Sequence, residues 1–344
     1  MTTTHPVIAA WSAVSPLGMG RAAFTEGLRA GRTAAAPVDP GWDAPVEEAC
    51  LVPGFDVKAV LGRKGTRSMD RVTGLAVTAV GQLLDGARGD ERTALVLGTS
   101  TGSAQSIMDF TRDSLTGARP HLVDPARFPN TVMNCAAGQC AIWHGIQGPN
   151  VTLAAGRASG LLALRYALRL QRNDHAEAVL VGAVEEFSHA RAWLEHRART
   201  PAGLLGEGCA VLRLERRGDG PAEVLGVETA VYHEPAAVGP TVTGLVARAL
   251  ARAGVTADDV TLLSHSGMDG EADGARAALP GAETVPCAEV IGDTSAASAA
   301  FQVAAVLAAA ENHPEPAPRT AVVTAVDHDG VAAAAVLRLR RPTT

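Results

Sequence analysis

Residues 148–168 read Gly-Pro-Asn-Val-Thr-Leu-Ala-Ala-Gly-Arg-Ala-Ser-Gly-Leu-Leu-Ala-Leu-Arg-Tyr-Ala-Leu, and their order decides how the chain is built. The turn Gly148-Pro149-Asn150 leads into Val151–Leu153, a short apolar run that reads as a buried strand. The small residues 154–156 follow, and from Arg157 onward Leu161, Leu162, Leu164 and Leu168 recur at helical spacing, on the core side of a helix. A strand that turns sharply into a helix sets one residue at the helix N-terminus, where unpaired N–H groups create a positive potential. An acid or a thiolate gains at such a position. Arg157 carries the wrong charge for it.

Working outward, the chain repeats itself. The helix expected over 157–171 leads to a strand at Ala178–Val184 and then to Ala-Val-Leu-Arg-Leu-Glu, ending at Glu215. A second helix over 295–310 leads to a strand at Ala321–Val326 and then to Ala-Val-Leu-Arg-Leu-Arg, ending at Arg340. A duplicated unit of this size predicts two similar halves, 1–216 and 217–344, packed about a pseudo-twofold axis. Their βαβ crossovers bury parallel strands. Elsewhere the pattern predicts a strand at Pro6–Val14, helices over 22–30, 72–87 and 108–116, a strand at Thr93–Gly98 and a loop over 31–53.

Composition sets the limits. The 344 residues are 47% hydrophobic but only 3% aromatic, so the core is built from Ala, Val and Leu. The formal net charge of -6 offers no basic stripe for nucleic acid. Cys50, Cys135, Cys140, Cys209 and Cys287 form no CxxC pair and no metal-ligand spacing, so they read as buried free thiols in a reducing compartment. No metal and no cofactor is expected. The segment beginning at Met1 has no basic region ahead of its apolar run, and no apolar run reaches membrane-spanning length, so a cytoplasmic protein is expected. The single Gly-rich turn at Thr99–Gly102 is too weak to mark a nucleotide site.

Phe128–Thr152, followed by Arg-Ala-Ser-Gly, resembles the β-ketoacyl synthases, the decarboxylating condensing enzymes of fatty acid and polyketide synthesis. The first strand with its Ser-Pro-Leu-Gly turn, the strand and turn over 93–102, and Gly203–Glu215 also match the family. The resemblance implies the thiolase fold, an α/β architecture of duplicated βα half-domains in five αβαβα layers, and it covers nearly the whole chain. It also implies a dimer whose central sheet continues across the interface through residues 151–153. Residues 134–150, with Cys135, Gln139 and Trp143, would lie at that interface. Buried packing is the expected role of Cys135 and Cys140.

In the family the residue aligned with Arg157 is the nucleophilic cysteine that carries the acyl chain. The helix N-terminus lowers its pKa, and neighbouring N–H groups form an oxyanion hole. No arginine can form that thioester. Two imidazoles and a supporting lysine complete the machinery. His265 remains in the first histidine run, followed by Asp269 and Asp273. In the second run Asp293 stands in place of the histidine and Ala288 in place of the lysine, while the Gly-rich gate has become Asp327-His328-Asp329-Gly330. Ser159 reads as a polar group satisfying the first helical turn. The pair Glu185-Glu186 reads as an acidic pair facing a loop. Residues 188–202 form a shorter segment than the family's and contain a helix-like stretch.

Together these losses point away from condensation. The chain resembles the chain-length-factor subunit of type II polyketide synthases, an inactive paralogue that pairs with an active ketosynthase and works on acyl carrier protein. In that group glutamine usually replaces the cysteine; here it is arginine. Two alternatives are an enzyme using His265 with Asp293 or Asp269 for acid/base chemistry on a carrier-bound chain, and a homodimeric acyl-chain-binding protein. Arg157 and Asp293 converge in one pocket of the family. They are therefore expected to form an ion pair, with His265 alongside, that plugs it.

Overall fold

A computed structural model describes residues 5–198, 203–311 and 319–340. Ten strands form one continuous path: β1 (Val7–Ser15), β2 (Thr93–Gly98), β3 (Asn150–Leu153), β4 (Ala178–Glu185), β5 (Gly208–Glu215), β6 (Ala222–Val231), β7 (Val260–Ser264), β8 (Glu283–Thr284), β9 (Arg319–Val326) and β10 (Val331–Leu339). The order across the sheet is β3-β2-β4-β5-β1-β6-β10-β9-β7-β8. Read outward from the centre, β1-β5-β4-β2-β3 on one side matches β6-β10-β9-β7-β8 on the other, each strand five later in the chain. The directions match as well. β1–β5 and β5–β4 are antiparallel while β4–β2 and β2–β3 are parallel, and the second set repeats this. Among the described residues, the two sets pair strand to strand through Val7 and Ile8 of β1 against Glu223 and Ala222 of β6. This is the α/β thiolase architecture.

Between the two sets lie two equivalent helices, Ser159–Arg172 and Ser298–Glu311. Each enters through a 3-10 turn, at 156–158 and 295–297, and each turn opens with a left-handed residue, Gly156 at φ 49° and Ser295 at φ 44°. The pseudo-symmetry thus extends to single backbone positions. A Cβ on Gly160 would lie 2.6 Å from the Ala300 backbone nitrogen, so the helices touch main chain to main chain. Such close approach is what an Ala- and Gly-rich interior permits. Phe24, Leu161, Leu164, Phe301 and the Ala and Val side chains of the inner strands fill this layer. On the outer faces, Arg71–Leu84 packs over the first set and Val238–Ala253 over the second.

Several sequence expectations shift. The helix after Arg157 starts at Ser159, because residues 156–158 are taken up by the 3-10 turn. Leu161 and Leu164 are buried, while Leu162 and Leu168 are only half-buried on the helix flank. β3 is half-buried rather than buried, because it is the last strand of its side. The stretch 31–53 is not all loop: Ala36–Pro37 pairs with Glu48–Ala49. A helix does occupy His189–Arg197, opened by the Ser188 side chain, while residues 199–202 of that shortened segment lie outside the described ones. Among the described residues no helix is long and apolar enough to cross a membrane.

Candidate functional site

The strand-turn-helix at β3 delivers residue 157 to the junction of the two halves, and the equivalent turn delivers Asp293 opposite it. A guanidinium nitrogen of Arg157 donates to Asp293 Oδ2. The second arm, Nη1, lies 3.9 Å from Asp327 Oδ2, and the Arg157 backbone N–H donates to that same carboxylate oxygen at 2.9 Å. Asp293 Oδ1 accepts the Ser295 N–H at 2.8 Å, and its main-chain carbonyl accepts from Arg191 at 2.9 Å. Arg191 also donates to the Glu186 and Gly206 carbonyls, at 3.0 and 2.7 Å, clamping the loop that presents Asp293.

This cluster offsets the misfit of a cation at a helix N-terminus with two carboxylates. Burial alone would raise the Asp293 carboxyl, but Arg157 and then Arg191 outweigh it and hold it below the ordinary carboxylate value. Burial likewise works against the charged Arg157, while Asp293, Asp327 and Glu195 together hold its pKa above the usual one. Gly156 makes the approach of Asp327 possible. A Cβ there would stand 1.8 Å from Asp327 Oδ2, and the φ of 49° is one that glycine adopts freely.

His265 follows β7 and is buried at 7% exposure, with neither ring nitrogen hydrogen-bonded. No bond joins it to Arg157 or Asp293, so it is not a bonded third member of the cluster. Asp269 and Asp273 both face solvent. The carboxylate that organises this loop is Glu271, which the sequence reading passed over. It is fully buried and accepts from the Ser266 N–H and hydroxyl, the Met268 N–H and the Thr324 hydroxyl. The reason is helical phase: Glu271 opens the helix Glu271–Ala278 facing inward, and Asp273 two residues later turns outward. Ala288 is half-buried beside this loop, and its methyl supplies no cation. His328 is exposed at the tip of the β9–β10 turn; Asp327, one residue earlier, faces the site instead. Ser159 bonds within its own turn, its hydroxyl donating to the Gly156 carbonyl at 2.7 Å and accepting the Ala155 N–H at 2.9 Å.

The Glu185-Glu186 pair does not face a loop. The two side chains are 2% and 1% exposed, because β4 runs through the sheet interior and helices cover its end. Glu186 accepts from the Val72 N–H and the Ser103 hydroxyl at 3.2 and 2.9 Å. Burial first, with Asp70 and Glu185 adding repulsion, pushes it up to about 8. Cys135, Gln139 and Trp143 lie half-buried on the helix Cys135–His144, with the Cys135 Sγ 3.4 Å from Asn130 Oδ1.

At residue 157 the turn into the helix carries a paired cation, and its backbone N–H is bonded to Asp327.

The model of the β-ketoacyl synthase N-terminal domain matches residues 6–202. The 3-oxoacyl-[acyl-carrier-protein] synthase 2 of Vibrio cholerae is 29% identical over 178 residues, covering 50% of this chain and 40% of that protein. That of Rhizobium meliloti is 27% identical over 315 residues, 78% of this chain and 75% of the other. The chain thus spans well under half the length of the Vibrio relative. Among solved structures, the ishigamide ketosynthase/chain length factor superposes with a TM-score of 0.93 at 46% identity, covering 98% of this chain and 99% of that one. A β-ketoacyl synthase from Burkholderia phymatum shares the fold, with a TM-score of 0.83 at 20% identity over 98% and 100% of the two chains.

Proposed function

Because this chain belongs to the β-ketoacyl synthase family, we propose that it is a ketosynthase-fold subunit without condensing activity of its own. In this reading it pairs with a cysteine-bearing ketosynthase and takes part in chain assembly on acyl carrier protein. The observation that carries the reading is the ion pair of Arg157 with Asp293, with Asp327 on the adjacent N–H. It occupies the place where the family's chemistry would need a free thiolate and a free N–H donor. The likeness to a ketosynthase/chain length factor at 46% identity over nearly the whole of both chains supports the same role. The two halves, divided near residue 216, then serve as one scaffold whose former pocket is plugged.

The test is reconstitution. The chain alone, given malonyl- and acyl-carrier protein, is expected to release no condensed product. Co-purification with a cysteine-bearing ketosynthase, seen by native mass spectrometry, is expected together with condensation by the pair. Turnover by the isolated chain would overturn the first part of the reading, and failure to associate with any such ketosynthase the second.

A further inference from the structure

Of the 13 residues in the helix Ala104–Thr116 only Ala104 is buried, while Met108 and Leu115 are 51% and 79% exposed. Apolar packing therefore does little to fix this helix, and polar contacts at its first turn take that part. Ser103, its N-cap, accepts the Ser106 N–H at 3.1 Å and donates its hydroxyl to Glu186 Oε1 at 2.9 Å. The Gln105 N–H donates to the same oxygen at 3.4 Å, and Gln105 Oε1 accepts the Ala190 N–H at 3.0 Å. Glu186 Oε2 accepts the Val72 N–H, in the first turn of the helix Arg71–Leu84. Asp70 caps that second helix through the Thr73 N–H at 3.0 Å and accepts the Ser106 hydroxyl at 3.3 Å. Two carboxyl groups thus bridge the N-termini of two helices.

Among the described residues no cation bonds to either carboxyl. Arg71 lies near Glu186 but gives its Nε to Glu207 at 2.7 Å and its Nη1 to the Phe55 carbonyl at 2.9 Å. Arg191 reaches the Glu186 main-chain carbonyl, not the side chain. The other ionisable neighbours, Glu185 on β4 and the Cys135 thiol near Asp70, add only negative charge when they ionise. Burial first, then Asp70 and Glu185, push Glu186 up to about 8, and burial raises Asp70 as well. Carboxyls that repel in this way titrate as a pair.

We propose that the pair is a proton-operated latch: the helix Ala104–Thr116 stays seated while the two carboxyls share a proton, and its first turn opens as that proton passes to water. Opening lets the freed carboxylate be hydrated and relieves the repulsion. Met108 and Leu115 are the apolar groups that this helix offers to a second subunit, so opening weakens association. That last step rests on the pairing proposed above; the latch itself does not. The seated form keeps the proton up to about pH 8 and the opened form only up to the ordinary 4.5. Opening therefore becomes easier across that window and levels off above it.

The test is hydrogen exchange of the full chain, followed by mass spectrometry from pH 5 to 8 and corrected for the intrinsic pH dependence of exchange. Residues 104–109 are expected to exchange at least about tenfold faster than β4 at every pH, the mark of a local opening. Their protection is expected to fall at least about tenfold from pH 5 to 8, one proton setting a limit of about tenfold per pH unit. Glu186→Gln keeps an acceptor without the charge, and Asp70→Asn keeps the cap without the charge. Each is expected to remove the pH dependence. Opening of 104–109 only together with β4, protection that does not change with pH, or a dependence that survives in both variants would overturn the proposal. Sedimentation with a cysteine-bearing ketosynthase is expected to show association about tenfold weaker at pH 8 than at pH 5 for the native chain, and constant for Glu186→Gln. A parallel loss in the variant would overturn the coupling to association. No association at any pH would overturn the pairing instead, with exchange still deciding the latch.

Discussion

Arg157 and Asp293 stand 136 positions apart in the sequence, one in each repeat, and are joined by a direct guanidinium–carboxylate hydrogen bond. Their side chains keep 16% and 19% exposure, so the pair is mostly but not wholly desolvated. Removing either partner leaves a charge in a poorly solvated place. Arg157→Ala or Asp293→Ala is expected to destabilise the fold by roughly 2–3 kcal/mol each, below the range of fully buried pairs because some solvation remains. The double variant is expected to lose less than the sum, with a coupling of about 1–2 kcal/mol. Urea denaturation of the four proteins measures it, and strictly additive losses would show the pair to be energetically idle. Because the folded Asp293 pKa is depressed below its ordinary 3.8, its contribution is present above that value and is lost as pH falls through the folded one. The difference between the native chain and Asp293→Asn should therefore shrink only below about pH 4.

Restoring the thiol should not restore condensation. In Arg157→Cys the new sulfur would sit beside the carboxylates of Asp293 and Asp327, with no neighbouring cation at Ala288 and the residue-157 N–H still bonded to Asp327. Two nearby negative charges oppose thiolate formation. The variant is expected to alkylate with iodoacetamide at least tenfold more slowly than free cysteine, and to take up no acyl group from carrier protein. Rapid acylation, followed by mass spectrometry, would mean that the site is one substitution from activity.

The duplicated fold was legible because each half carries a complete helix–strand–strand signature, and periodicity survives when chemistry does not. The strand-turn-helix at 151–172 and the meeting of Arg157 with Asp293 were legible too, since two odd charges at aligned positions explain each other. What the sequence hid depends on a side chain's direction at the start of an element. Asp269 and Asp273 looked like supports for His265 by spacing, yet helical phase turns Glu271 inward and Asp273 out. Asp327 and His328 were equivalent as letters, and only the geometry of the turn aims the first at Arg157.

Glu186 gives the fold a second, opposite pH dependence. Its pKa is raised to about 8, so folding favours the neutral acid. Its influence is most favourable below its ordinary 4.5, declines as pH rises toward about 8, and then levels off. The single group can impose a slope of at most about 1.4 kcal/mol per pH unit in that window. Glu186→Gln is expected to flatten the fall in unfolding free energy between pH 5 and 8. An unchanged slope in the variant would assign the dependence to other groups.

The surface that would receive a partner can be tested apart from the Arg157–Asp293 pair. Seven of the ten exposed large apolar side chains among the described residues fall between Met108 and Ile142, with Leu115 at 79% and Ile142 at 75% exposure. The same stretch runs directly into β3, the outermost strand of its side, whose free edge can pair with another chain. Exposed apolar groups next to an open edge are what an interface between thiolase-fold subunits needs, and scattered surface apolars would not concentrate in one segment. Ile142→Lys places a charge on that surface and disturbs little of the monomer's packing, since three-quarters of the side chain is already in water. It is expected to leave the urea midpoint of the isolated chain unchanged and to weaken association with a second subunit at least tenfold. Val231→Lys, on an exposed residue at the end of β6 in the other strand set, serves as the control. Equal association of all three proteins by sedimentation would remove the 108–153 surface from the interface.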